Sequence, residues 1–220
     1  MQDKNNSIKN IQPNLEHSTY TTEQNSDSRA QAQDTFPGVS GLEAGKLFVK
    51  HKFGYEEGVN YKVSSSYESG PLTHIYLQQL NQGKEVDNGT INISVDKNGK
   101  IIAFGDSFDK SFTSSDNTSA NPEDWGSPVN ALFSLFSHLK VDPKVSQNEV
   151  NIQQAEGDSV KFSNIPIASG EVKAQQKFIQ VKTGQLEKVW NLEVDLGDDI
   201  WDASVTPNGE IVRLNNLVNN

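Results

Sequence analysis

Four histidines, His17, His51, His74 and His138, are the first residues to weigh for chemistry. An imidazole is the side chain most often recruited to hold a metal or to move a proton near neutral pH. A zinc-hydrolase helix needs His-Glu-x-x-His, which sets two imidazoles on one face and the glutamate beside the metal-bound water. None of the four histidines opens that pattern. The chain has no cysteine, which excludes a Cys/His zinc site, a disulfide framework and thiolate chemistry. Asp195, Asp198, Asp199 and Asp202 crowd one turn, but not at the spacing of a calcium-binding loop, so a solvated acidic hairpin is expected. A Gly-x-Ser-x-Gly elbow and a phosphate-cradling glycine loop are also missing. The expectation is therefore no catalytic residue, no metal ligand and no cofactor site in this chain. What remains is the Asn-x-Ser/Thr pattern of glycan acceptors, opened by Asn5, Asn88, Asn92 and Asn117. Asn88, Asn92 and Asn117 are the candidate N-glycosylation sites. Asn92 alternates with Ile91 and Ile93, so it should face away from the core.

Composition narrows the partners. A chain of 220 residues, 34% apolar and 22% charged, can build one or two modest cores. Its 19 basic and 29 acidic residues give a net charge of −10 with no Lys/Arg cluster, which argues against nucleic acid. No run approaches the roughly 20 apolar residues of a membrane span. The opening MQDKNNSIKNIQPNLEHS lacks the basic start and apolar run of a secretory signal, so the chain is either truncated at its start or cytosolic.

The elements that must carry these residues read as α+β, two helix-on-antiparallel-sheet units after a disordered N-terminal tail. Residues 1–36 are rich in Asn, Gln, Ser and Asp and lack an apolar face, so they are expected to be a disordered polar tail containing His17. Residues 37–112 form the first unit. Leu42, Gly45, Phe48, Val49 and Lys52 fall at helical spacing, Gly54 is placed to cap that helix, and Gly45 permits close approach to a sheet. Four strands follow from Val59 to Phe112, with Val59, Tyr61, Val63 and then Ile91, Ile93, Val95 at every second position. Asn98-Gly99 predicts a type I′ turn, a tight connection with positive φ at both residues, tying Val95 to Ile101. Residues 113–126 read as a polar linker.

In the second unit, residues 127–220, Ser127 and Pro128 open a helix whose buried face is predicted as Val129, Leu132, Phe133, Phe136 and Leu139. His51 and His138 fall in last helical turns, where the dipole favours a cation, and His74 falls in a strand, where a hydrogen-bonded structural role is expected. Trp190 and Trp201 are expected to pack in the second core. Strands return from Lys161 to Val218, and Ser94-Val95, Asn98-Gly99 and Ile101 recur as Ser204-Val205, Asn208-Gly209 and Ile211.

Thr73-His74-Ile75-Tyr76-Leu77, the Gly83 to Asp87 bend, Asn92-Ile93-Ser94-Val95, Asn98-Gly99-Lys100-Ile101-Ile102 and Gly105-Asp106-Ser107-Phe108 together resemble the fungalysin/thermolysin propeptide (FTP) module. That module precedes the catalytic domain of fungalysin-type secreted zinc metalloproteases. The closing hairpin from Val189-Trp190 to Leu217-Val218 resembles the PepSY module of protease propeptides. The resemblance implies the prodomain of an extracellular metalloendopeptidase precursor, acting as intramolecular chaperone and inhibitor. The partner would be the zinc catalytic domain, which alone would carry the zinc, and the location would be extracellular. The alternative is a stand-alone FTP/PepSY binding module or protease inhibitor acting in trans.

Overall fold

The computed structural model describes residues 8–15, 19–22, 34–111 and 125–218. The chain divides into two compact units, one of residues 15–119 with 182–185, the other of residues 1–14, 120–181 and 186–220.

The first unit runs β1 (Thr19–Thr22), α1 (Gly41–Phe53), β2 (Tyr61–Ser69), β3 (Leu72–Asn81), β4 (Lys84–Asp96) and β5 (Ile101–Asp106). These strands pair antiparallel in the order β2-β3-β4-β5-β1. Helix α1 starts where Ser40 accepts the Glu43 N–H at 3.2 Å and stops where Gly54 turns left-handed at φ 74. It lays Ala44, Phe48 and Val49 on Ile75, Leu77, Ile91, Ile93 and Val95, the inward residues of β3 and β4. Each large apolar side chain so buried contributes about 1.5–3 kcal/mol. The close approach expected of Gly45 is present, for a Cβ there would lie 2.4 Å from Ile75 Cδ1. Gly41, one turn earlier, abuts Thr73 in the same way, its notional Cβ 2.2 Å from Oγ1.

The Asn98-Gly99 turn departs from expectation. Gly99 has φ 78 and Asn98 is not in the positive region, so this is not a type I′ turn. Gly99 N–H closes onto the Asp96 carbonyl at 3.0 Å, and the ladder shifts register between Ser94 and Val95 while still pairing Val95 with Ile101. The Asp96 carboxylate decides the geometry, because it accepts the N–H groups of Asn98 at 2.8 Å and Lys100 at 2.9 Å and stabilises a wider loop with a bulge. Positive φ at both central residues occurs instead at Gln82-Gly83, with φ 52 and 76, between β3 and β4.

The second unit comprises α2 (Pro128–Leu139), β6 (Asn151–Gln154), β7 (Ser159–Ser163), β8 (Val172–Lys182), β9 (Gln185–Asp195), β10 (Ile200–Val205) and β11 (Ile211–Asn216). The strand order is β6-β7-β8-β9-β10-β11. Ser127 caps α2 and Pro128 takes its first position, as read from the sequence. The buried face is Val129, Ala131, Leu132, Leu135, Phe136 and Leu139. Phe133 is the correction: it is half-buried at the margin of the stripe, touching Phe136 edge-on at 5.9 Å. Trp190 and Trp201 are buried, and the Trp190 indole N–H donates to the Gly126 carbonyl at 3.2 Å. Trp125, read as the end of a linker, is fully buried and meets Phe178 edge-on at 5.2 Å. Its burial outweighs the polar residues that precede it; residues 112–124 lie outside those described.

The polar stretch 1–36 is also not uniformly without structure. Ile11 and Leu214 exchange two backbone hydrogen bonds at 2.9 Å within the second unit, and β1 pairs with β5 in the first. Asp34 accepts the Ile101 N–H at 3.0 Å, and Phe36 donates its own to Gly99 at 2.9 Å. Such pairing needs no apolar face, only unpaired N–H and C=O groups on a strand edge or turn. This is why a reading of hydrophobic pattern misses it.

Candidate functional site

The residues singled out for chemistry are dispersed. His51 and His138 are exposed in the last turns of α1 and α2. His74 is structural, with Nδ1 bonded to the Ser94 hydroxyl at 3.1 Å and its ring beside Tyr67 at 5.2 Å. His17, Asn5 and Asn117 lie outside the described residues. Among the described residues no three His, Asp or Glu side chains converge where a metal could be held.

The acidic hairpin is a hydrogen-bonded framework. Asp195 accepts the Gly197 N–H at 2.8 Å, and Asp199 accepts the Asn216 amide at 2.5 Å. Asp202 pairs with Arg213 and accepts the Asn191 amide, each at 2.8 Å.

A dense polar arrangement lies at the end of β5, in Gly105-Asp106-Ser107-Phe108 and the residues after it. Asp106 is buried, accepts the Phe108 N–H at 2.9 Å and pairs with the Lys110 ammonium. That ammonium also lies over the Phe53 ring at 4.7 Å and the Tyr55 ring at 5.8 Å. Burial pushes the Tyr55 phenol up, against the opposing charge of Lys110. The Ser107 hydroxyl donates to the Asn88 and Thr90 carbonyls at 3.1 and 3.0 Å. Beneath α1, Tyr61 is pushed up to about 12, first by burial and then by the Glu57 charge. Lys46 bridges Glu57 at 3.0 Å and Glu43 at 3.1 Å, and these bonds, Glu57 foremost, raise its pKa. These contacts fix one geometry of helix, sheet and turn; none sets a nucleophile against a base.

Among the described residues two exposed features bear on function. A groove of about 800 Å³ in the second unit runs between α2 and the β10–β11 turn, with Phe133, His138 and Asn208 in its lining. The first unit's sheet presents Tyr67, His74, Tyr76 and Asn92 on the side away from α1. Tyr67 on this face departs from the sequence pattern, because the alternation begun by Tyr61 and Val63 would carry it inward. A bulge at Ser64 between Val63 and Ser65 reverses it.

Comparison with known proteins bears on residues 59–108, which match the model of the Fungalysin/Thermolysin Propeptide Motif. Extracellular metalloproteinase 9 of Uncinocarpus reesii is 31% identical over 150 residues, covering 67% of this chain and 23% of that protein. Probable extracellular metalloproteinase 2 of Arthroderma benhamiae is 29% identical over 147 residues, with the same two coverages, 67% and 23%. The chain thus spans about a quarter of the length of these relatives. Among solved structures, the Bacillus megaterium YpeB C-terminal domain aligns with 84% of this chain and 69% of its own at TM-score 0.36 and 12% identity, too distant to carry an argument. No helix among the described residues is long and apolar enough to cross a membrane.

Proposed function

We infer that this chain, which through residues 59–108 belongs to the fungalysin/thermolysin propeptide family, is the prodomain of an extracellular zinc metalloprotease precursor. The observation that supports this reading is the continuity of that match with the strand run β2 to β5, packed under α1 as one core. In this reading the chain binds the catalytic domain, assists its folding and blocks its cleft. A folded domain that binds the native enzyme but not its unfolded chain stabilises the native state by mass action. The same docking excludes substrate when it covers the cleft. In this reading zinc would be held by the catalytic domain.

The test is to refold the catalytic domain of one of the fungal relatives with and without this chain, and to add the chain in trans to the folded enzyme. A higher yield of active enzyme on refolding, and saturable inhibition of peptide hydrolysis at stoichiometric amounts, are the expected results. An enzyme that refolds equally well alone and is not inhibited by excess chain would overturn the reading.

A further inference from the structure

On the outer face of the first unit's sheet, Asn92 stands directly opposite Tyr76 on one side and Gly105 on the other. Tyr67 has been turned onto the same face by the bulge at Ser64. The rings of Tyr67 and Tyr76 lie nearly parallel, 16° apart with centroids at 6.1 Å, and their hydroxyls are 3.4 Å apart. They are 51% and 37% exposed, so this ring pair is left open to solvent rather than packed away. Gly105 gives the Asn92 side chain its room, for a Cβ there would sit 2.7 Å from Oδ1 and 3.3 Å from Nδ2. Asn92 itself is exposed, and among the described residues its carboxamide has no hydrogen-bond partner.

We propose that Asn92 is a glycan attachment site whose first sugar packs on the open ring pair of Tyr76 and Tyr67. The Asn92-Ile93-Ser94 acceptor pattern supplies the chemistry. The carboxamide nitrogen bonds to the anomeric carbon of a saccharide carried on a polyprenyl pyrophosphate. The bond from that carbon to the pyrophosphate oxygen breaks, the pyrophosphate leaves with the electron pair, and the nitrogen gives up one proton. In the folded chain the Ser94 hydroxyl is engaged with His74 at 3.1 Å and Asn92 lies in a paired strand. Attachment therefore precedes pairing of β4, while the segment is extended and accessible. Once β3 and β4 pair, the sugar is held beside Tyr76, where the C–H groups of its apolar face meet an aromatic face. Asn88, the preceding acceptor on the same strand, is half-buried and directly opposes no residue of β3, so it has no such platform.

The proposal rests on the prodomain reading only for a natural route through a glycosylating compartment. The experiment supplies that route, so failed inhibition and an unmodified Asn92 are separate results. The full chain is secreted from a glycosylating yeast and mapped by mass spectrometry before and after enzymatic glycan removal. Melting temperatures of the glycosylated and deglycosylated forms are compared for the unsubstituted chain, Asn92→Gln and Tyr76→Ala. Expected are a glycan on Asn92, a melting temperature lower by roughly 2–4 °C after its removal, and loss of that difference in Asn92→Gln and Tyr76→Ala. Nuclear Overhauser contacts between sugar protons and the Tyr76 ring in the unsubstituted chain give a second readout, independent of whether Tyr76→Ala folds. An Asn92 that leaves the yeast unmodified, or a glycan without contact to Tyr76 and with no effect on melting, overturns the proposal.

Discussion

The Gln79 carboxamide and the Asp109 backbone hold each other in both directions. Gln79 Nε2 donates to the Asp109 carbonyl at 2.9 Å, and Oε1 accepts the Asp109 N–H at 2.8 Å. Both residues are buried, 3% and 4% exposed, so water cannot take over either bond. This clamp ties β3 to the chain just beyond β5, at the residue that follows the motif ending in Phe108.

Gln79→Ala should leave two buried backbone groups unpaired. At about 1–3 kcal/mol for each unsatisfied group, a loss of roughly 2–6 kcal/mol is expected in urea unfolding. Gln79→Glu should be no better, since an ionised carboxylate cannot donate to the Asp109 carbonyl. A Gln79→Ala chain within about 0.5 kcal/mol of the parent, the range of ordinary surface substitutions, would show that the clamp carries no stability.

Gly45 tests the helix-to-sheet approach. Alanine there gains about 1 kcal/mol of helix propensity, but its Cβ would fall 2.4 Å from Ile75 Cδ1 in a full core, where overpacking costs about 1–3 kcal/mol. Gly45→Ala should therefore destabilise the chain, and Ile75→Val, which removes the clashing methyl, should relieve it. A double-mutant cycle should give a coupling above about 0.5 kcal/mol. Additive effects would mean that the helix simply moves away.

The same residues show what a sequence can and cannot convey. Ser40, Gly54, Ser127 and Pro128 announce both helices because capping is decided by neighbours within one turn. The inward rows of β3 and β4 are equally plain, since alternation is local. Tyr67 was hidden because the Ser64 bulge depends on its pairing partner across the hairpin. Phe133 stays half-buried because the apolar stripe on α2 is broader than the face the sheet covers. The Ile11 to Leu214 bridge runs through the backbone, and the side chains beside it that bond β11, Asn10 to the Asn216 N–H and Gln12 to Asn215, are polar, so no apolar pattern marks it. For the candidate site, the acceptor pattern at Asn92 is legible, but the rings beside it become visible only in the strand register.

The two Asn-Gly turns share one construction and should respond unequally to substitution. Both close an Asp96- or Thr206-started loop on a glycine with positive φ, and both pair valine with isoleucine across a register shift. At Gly99, φ 78, a Cβ would lie 2.0 Å from the Phe36 carbonyl oxygen, which is backbone; at Gly209, φ 84, it would meet the Ser134 hydroxyl at 2.6 Å, which can rotate. Gly99→Ala should thus cost more than Gly209→Ala, by about 1 kcal/mol or more. Asn98→Ala should be nearly silent, because Asn98 has no positive φ to support. A costly Asn98→Ala would point back to a type I′ turn.

Acid should loosen the first of these turns. The Lys100 N–H, then those of Asn98, hold the Asp96 carboxyl below its usual range. The folded state thus binds a proton at Asp96 less readily than the unfolded chain does. Its stabilisation is present above the unfolded carboxylate value of about pH 4 and is lost as pH falls through the depressed folded value. Melting temperature measured from neutral pH downwards should therefore fall less steeply for Asp96→Asn than for the parent. Glu171, depressed by Lys161 and Lys173, adds a separate contribution to the same acid limb, so the slope should shrink without vanishing. Identical slopes would remove Asp96 from the account.

The Ile11 to Leu214 pairing makes the polar N-terminal segment a cover for the open edge of β11. Leu214 is fully buried and its N–H is directed at Ile11, while the other side of β11 is taken by β10. Deleting residues 8–15 removes both hydrogen bonds between Ile11 and Leu214 and leaves the β10 to β11 ladder untouched. Hydrogen exchange should then quicken at the Leu214 amide but not at those of β10, and overall stability should drop by only about 1 kcal/mol. Adding a peptide of residues 8–15 to a chain lacking that segment should restore the protection, because the edge offers the same two hydrogen bonds to a strand supplied from outside. Leu214 protection that survives the deletion unchanged would mean that β11 needs no cover.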